Sequence, residues 1–395
     1  MRPLSRRRRF SYAAVSLLSS VALSLVVLEA AARWLERRSA AAHARPGPPL
    51  ALMRANPAGT GSYRLRPNLD TVAVVKGLSI PVRTNSHGLR GPELTAAKPP
   101  GIQRVAFFGD SFTFGCWADR YENTFVGAFA RQMDPRRFET LNFGVGGYGL
   151  ADIELQLQEQ ALAFAPDYVL VMLFTGNDLR DTYLGVHKYR LVGGTVEFDE
   201  DVLAAKLPDY RRESEPFALR PARDPSALRR GLARLATFRL LLSGLSLDNP
   251  WLEFRPSRYF TSFSYWSQYP FPPLARHARD TTLEVLGRLK TLARRHGARL
   301  AVVTIPSREQ VYAARASGRF FDITLPQAYV RLFARERRIP FLDLLDKLRP
   351  HVLSTGQQLY VAGDIHFNTR GHLLVAGFVR EWFLAEVLRR SPAGR

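Results

Sequence analysis

The chain has 395 residues, with 56 lysines and arginines against 35 aspartates and glutamates, a net charge of +21. That length leaves room for a substantial core and more than a minimal domain, and the charge favours anionic surfaces and partners. The single cysteine, Cys116, excludes a disulfide framework and a thiolate metal cluster within one chain.

The N-terminus reads as a targeting segment. Arg6 to Arg9 precede an uncharged run, residues 10–28, just long enough to cross a bilayer as a helix. Nine arginines and two glutamates fall within residues 1–45, and the arginines ahead of the run favour a cytoplasmic N-terminus. Residues 1–38 are therefore expected to be a basic segment and a single transmembrane anchor in the cytoplasmic membrane, with the remainder of the chain on its periplasmic or extracytoplasmic side. The competing reading is a signal peptide cleaved at the small residues Ala30 to Ala32. Residues 39–100 come next as a linker and short extended pieces. Residues 39–62, rich in Ala, Pro and Gly, suit a tether. Asn85, Gly88 and Arg90 fit a turn before the main sheet, with His87 facing solvent.

Residues 105–115, VAFFGDSFTFG, organise the rest of the chain. An apolar run ending at Gly109 predicts a buried strand of a parallel sheet. Ser111 then stands where open α/β sheets keep their ligands, seated for a nucleophile, with Asp110 or Ser111 as a helix cap the alternative. A helix is expected over 123–133, a strand over 140–143, a helix over 151–164 and a buried strand over 168–175. The alternation breaks at 181. An insertion, 182–273, carries a hairpin (KYRLVGGTVEFD), a basic amphipathic helix over 227–245 and an aromatic run from Trp251 to Phe271. Alternation resumes with a helix over 281–295, a strand over 299–305, a helix over 326–337, a strand over 340–344 and a helix over 369–389. Strands alternating with helices predict a mostly parallel sheet covered on both faces.

Three further stretches accompany the Gly109-Asp110-Ser111 run: NFGVGGYG at 142–149, Gly176-Asn177-Asp178 at the end of a strand, and GDIHFNTRGH at 363–372. In order and separation, the four resemble the signature blocks of the SGNH (GDSL-type) hydrolases, from about residue 105 to 388. The resemblance implies a flavodoxin-like three-layer α/β/α core in two parts, 101–181 and 274–395, interrupted by a cap-like insertion. It implies Ser111 as nucleophile, His366 as general base and then acid, and Asp364 as the orienting carboxylate. Asp364 stands two residues before His366, where the family usually has three. The oxyanion donors implied are the Ser111 amide, the Gly147 amide and the Asn177 side chain. His372, six residues beyond His366, is expected to be structural. The α/β-hydrolase pattern fits poorly, because Thr113 stands where G-x-S-x-G needs glycine.

No metal-ligand spacing appears among the eight histidines, and no phosphate or dinucleotide loop is present, so neither metal nor cofactor is expected. The aromatics match no RNA-binding pattern, and nucleic acid is not an expected partner. The expected function is hydrolysis of carboxylic esters or acyl groups, including deacetylation of an envelope or exported polysaccharide. The alternatives are an O-acetyltransferase with the same triad and a non-catalytic polysaccharide-binding scaffold. Tyr265 and Trp266 are the aromatics expected to line the approach to Ser111. Oligomeric state is not legible.

Overall fold

The apolar runs that predict buried strands lie side by side in one sheet. The computed structural model describes residues 52–206 and 263–389, except 61, 76–77, 193–194, 269–270, 314–315, 319–320 and 363, together with 19–20, 23–31 and 33–34. Strands β1 (Gln103–Gly109), β2 (Phe138–Asn142), β3 (Tyr168–Phe174), β4 (Arg299–Ile305) and β5 (Phe341–Asp343) stand in the order β2-β1-β3-β4-β5. Each neighbouring pair is parallel. This is the order of flavodoxin-like doubly wound sheets, and it places β1 at the point where the winding reverses.

Alternation along the strands divides the core. Ala106 and Phe108 of β1 join Val169, Val171 and Leu173 of β3 on one face, covered by helices Leu150–Glu159, Pro273–Arg295 and Leu325–Glu336. Val105 and Phe107 join Leu170, Met172 and Val303 on the other, covered by Phe125–Gln132, Leu345–Thr355 and Thr369–Trp382. All seven residues of β3 are buried, as a strand sandwiched between helical layers requires. Burial of each large apolar side chain contributes about 1.5–3 kcal/mol.

One helix starts earlier than its apolar spacing indicates, and another is not expected from the sequence. Pro273–Arg295 begins eight residues ahead of its expected start, because small residues, Ala275, Ala278 and Thr282, carry the buried face of its first half. Leu345–Thr355 contains Pro350, a residue that argues against helix in sequence, yet Leu345, Leu348 and Val352 bury one face. The helix expected over 369–389 ends at Trp382 and continues as a π turn, Phe383–Leu388.

Among the described residues, four two-stranded antiparallel ribbons accompany the sheet, including Asp70–Val75 with Leu78–Arg83 and Tyr189–Val192 with Thr195–Phe198. His87 does not face open solvent as expected: it is half-buried, its ring 4.9 Å from Phe164 and its Nε2 3.0 Å from the Leu94 carbonyl. Most of the expected anchor, the tether up to residue 51, the helix over 227–245, and Trp251, Phe254, Tyr259, Phe260 and Tyr269 lie outside the described residues. Met1–Gly47 with Pro216–Asn249 forms a unit separate from the one carrying the sheet. Its described residues are helical, with Leu23, Leu25, Val26 and Val27 more than half exposed. Among the described residues, no helix is long and apolar enough to cross a membrane.

Candidate active site

Strand β1 delivers Ser111 to the C-terminal edge of the sheet. A Cβ on Gly109 would stand 2.8 Å from the Met172 carbonyl of β3, so only glycine lets the chain leave the sheet here. Asp110 caps the one-turn helix Ser111–Phe114, its Oδ1 accepting from the Phe112 N–H at 2.9 Å. The capping expectation for Asp110 and the ligand-edge placement of Ser111 therefore hold together.

His366 approaches from the loop before helix Thr369–Trp382. Its Nε2 lies 2.7 Å from Ser111 Oγ, and its Nδ1 lies 2.6 Å from Asp364 Oδ1. A carboxylate accepts, so Nδ1 carries the proton and Nε2 is the acceptor facing the serine hydroxyl. The two-residue spacing is accommodated by a turn in which Asp364 Oδ1 also accepts the His366 backbone N–H at 3.0 Å. Phe112, fully buried, lies 5.0 Å from the His366 ring and holds its face. The imidazole remains 15% exposed and the Asp364 side chain 8%, so water reaches the histidine but barely the carboxylate.

Gly147 and Asn177 follow β2 and β3, the two strands on either side of β1, so both loops rise beside Ser111. Phe143 and Val145 donate to the Phe107 and Gly109 carbonyls, at 2.8 and 3.1 Å, and stitch the first loop to β1. Gly147 has φ +79°, and Asn177 stands at the N-cap position of helix Asp178–Leu184 without a side-chain capping bond. Among the described residues, the Ser111 and Gly147 N–H groups donate to no protein acceptor, and the Asn177 amide makes no hydrogen bond.

Behind the site, burial pushes Asp110 up to about 6. Burial first, then the charge of Asp110, pushes Asp178 well above the usual carboxylate range, although Asp178 Oδ2 accepts the Phe174 N–H at 2.8 Å. His372 is fully buried and is held down to about 4 by desolvation. It lies 3.3 Å from the Phe125 N–H through Nδ1 and 3.3 Å from the Cys116 carbonyl through Nε2.

Tyr265 and Trp266 are buried in the core rather than presented to a substrate. Trp266 has no exposed surface and Tyr265 is 8% exposed, and the two stack edge to face at 5.5 Å. Both belong to the same buried cluster as Ala278 and Leu286 of helix Pro273–Arg295. Their apolar area is used for core packing at the junction with helix Pro273–Arg295, which leaves no ring face for a substrate.

Two residues near the site were not singled out from sequence for the contacts they make. Tyr63 donates to the Gly146 carbonyl at 2.7 Å, and nothing in its surroundings in sequence signals this. Arg90, noted only as part of a turn, is 1% exposed and donates to the Phe114, Gly115 and Ala118 carbonyls at 3.1, 2.6 and 2.9 Å.

A doubly wound parallel sheet with a serine, a histidine and an aspartate hydrogen-bonded in series at its C-terminal edge defines an α/β protein of hydrolase type. Residues 107–374 match the family model described as GDSL-like Lipase/Acylhydrolase, so the chain belongs to that family. No curated protein matches it. Among solved structures, it is similar to a two-domain esterase, CEX, active on acetylated mannans and co-crystallised with mannopentaose (14% identity, TM-score 0.39). That alignment covers 73% of this chain and 50% of the esterase, so the chain spans about half the length of that relative. It is also similar to the acetyl xylan esterase AlAXEase (13% identity, TM-score 0.38, covering 71% of this chain and 98% of that one). A third is a catalytic mutant of Axe2, an acetylxylan esterase from Geobacillus stearothermophilus (16% identity, TM-score 0.38, covering 71% and 94%).

Proposed function

We propose that Ser111, His366 and Asp364 act as a catalytic triad that cleaves a carboxylic ester. The observation that carries this reading is the unbroken pair of hydrogen bonds, 2.7 Å from Ser111 to His366 and 2.6 Å from His366 to Asp364. Ser111 Oγ attacks the acyl carbon while its proton passes to His366 Nε2. Asp364 holds the imidazole in the required tautomer and stabilises the imidazolium. The carbonyl oxygen becomes an oxyanion, met by the Ser111 and Gly147 N–H groups and the Asn177 side chain. Collapse expels the alcohol, protonated by His366, and leaves an acyl-serine. Water, deprotonated by the same histidine, then releases the acid and restores the serine hydroxyl.

The substrate class we propose is an acyl group carried by an exported or envelope polysaccharide. The net charge of +21, with eleven basic and six acidic residues over 206–260, supports an anionic carrier. An anchor over residues 10–31 would hold the catalytic unit at the outer face of the cytoplasmic membrane. The uncharged run and the exposed apolar side chains at Leu23 to Val27 support that placement. A C-terminal reporter active only in the cytoplasm would refute it.

Hydrolysis of short-chain nitrophenyl esters tests the reaction. Ser111→Ala should lower turnover by about a thousandfold or more with an unchanged melting temperature. Turnover near that of the wild type would end the triad assignment. Adding an acceptor glycan should leave hydrolysis dominant, whereas dominant acyl transfer would make the protein an acetyltransferase. Asn177→Ala should lower kcat about a hundredfold with a smaller change in KM, because the amide acts on charge that develops in the transition state.

A further inference from the structure

The peptide joining Gly146 to Gly147 is gripped from its carbonyl side. Tyr63 Oη donates to the Gly146 carbonyl at 2.7 Å. A trans peptide is planar, with its C=O and N–H pointing in opposite directions. The bond that pins the Gly146 oxygen therefore also sets the direction of the Gly147 N–H, which donates to no protein group among the described residues. A Cβ on Gly146 would lie 3.9 Å from Ser111 Cβ, so this peptide borders the nucleophile.

We propose that Tyr63 is a positioning residue for the oxyanion site: its hydroxyl holds the Gly146–Gly147 peptide with the Gly147 N–H presented to the reacting carbonyl oxygen. The inference rests on the triad reading above and adds to it a group from outside the stretch, 107–374, that matches the family. A donor on the carbonyl also polarises the amide and strengthens its N–H as a donor.

The phenol cannot swing away. Its ring stands edge-on to Tyr148 at 5.3 Å and to Tyr189 at 5.8 Å. The Tyr148 hydroxyl donates to the Tyr63 carbonyl and accepts from Arg64 Nη1 at 2.6 Å, and Arg64 is paired with Glu159 at 2.9 Å. Strand Tyr63–Leu65 is thereby fastened to the loop that carries Gly147. The loop is fitted to the phenol in return. A Cβ on Gly147 would stand 2.8 Å from Tyr63 Oη and 3.0 Å from Tyr189, at a backbone φ of +79°. Burial raises the Tyr63 hydroxyl well above its ordinary pKa, so it stays protonated and able to donate.

Tyr63→Phe keeps the ring and removes the donor. With a nitrophenyl acetate substrate, kcat should fall about tenfold while KM stays within about twofold, since the peptide acts on the transition state rather than on bound ester. Affinity for a boronic acid that forms a tetrahedral adduct on Ser111 should fall by a similar factor. Tyr63→Leu, lacking ring and hydroxyl, should lose stability as well. Wild-type kcat in Tyr63→Phe, or a loss confined to KM, would overturn the proposal. So would the same loss of kcat with boronate affinity intact. If Ser111→Ala retains turnover, the triad reading fails instead, and the two failures are separately visible.

Discussion

Asp364 reaches His366 across only one intervening residue, and the same oxygen serves the backbone N–H and the ring Nδ1. Asp364→Asn keeps an oxygen for the backbone but offers the ring an NH2 group, which favours the opposite tautomer and leaves Nε2 unable to accept from Ser111. Steady-state hydrolysis should show kcat lowered by about two to four orders of magnitude with KM little changed. The buried groups behind the site make folding stability depend on pH with opposing signs. His372 is held down to about 4 from 6.5, so its contribution is complete above pH 6.5 and is lost as pH falls through 4. Asp110 is raised to about 6 from 3.8, so its contribution is complete below 3.8 and is lost as pH rises through 6. Denaturant titrations at a series of pH values should show His372→Gln weakening the acid loss of stability and Asp110→Asn deepening it. Each difference should reach at most about 3 kcal/mol between pH 4 and 6.5.

At the scale of elements, the short helix bearing Ser111 is held from a segment far ahead of it. The Arg90 guanidinium meets the carbonyl of Phe114, the last residue of that helix, and those of Gly115 and Ala118 just after it, and it lies 4.8 Å from the Phe114 ring. Burial lowers its pKa, but an arginine remains charged, so the cation is solvated by backbone oxygens in place of water. Arg90→Ala leaves the Phe114 and Ala118 carbonyls buried and unmet, while the Gly115 carbonyl keeps the Ala118 N–H, at about 1–3 kcal/mol for each unsatisfied group. Urea unfolding should register a loss of about 3 kcal/mol or more, and kcat should drop as the helix bearing Ser111 loosens. Arg90→Lys, a point charge with three donors, should recover only part of both. An unchanged urea midpoint in Arg90→Ala would remove the clamp from the account.

For the molecule as a whole, the two N-terminal contributions, Tyr63 and Arg90, fix where the chain can be cut. Removing residues 1–51 leaves strand Tyr63–Leu65 and the Arg90 turn in place, and on the proposed function the product should retain ester hydrolysis, while loss of the proposed anchor should keep it out of the membrane fraction. Removing residues 1–100 preserves every residue of the family match yet takes away both contacts. That product should be poorly folded and inactive, and circular dichroism with an esterase assay on the two truncations tests the pair. An active, stable enzyme beginning at residue 101 would show that the segment ahead of the sheet is dispensable.

How much was legible depended on which interactions are local. The apolar runs at 105–108 and 168–174 specify buried strands by themselves, because side-chain alternation and burial on two faces are written in consecutive residues. Ser111, Gly147, Asn177, Asp364 and His366 could be named from four short stretches, since each stretch forms one turn at a strand or helix end. Burial on the far face is another matter. The fate of Tyr265 and Trp266 turned on which side of the sheet helix Pro273–Arg295 covers, and small residues there hide the stripe. The reach of Tyr63 to Gly146, 83 positions away, has no counterpart in spacing. The amino-acid sequence alone determined the sheet and pointed to the residues of the proposed triad, through local pattern. Only the tertiary structure decided which buried side chains hold those groups in place, because such contacts join residues whose separation along the chain carries no periodic signal.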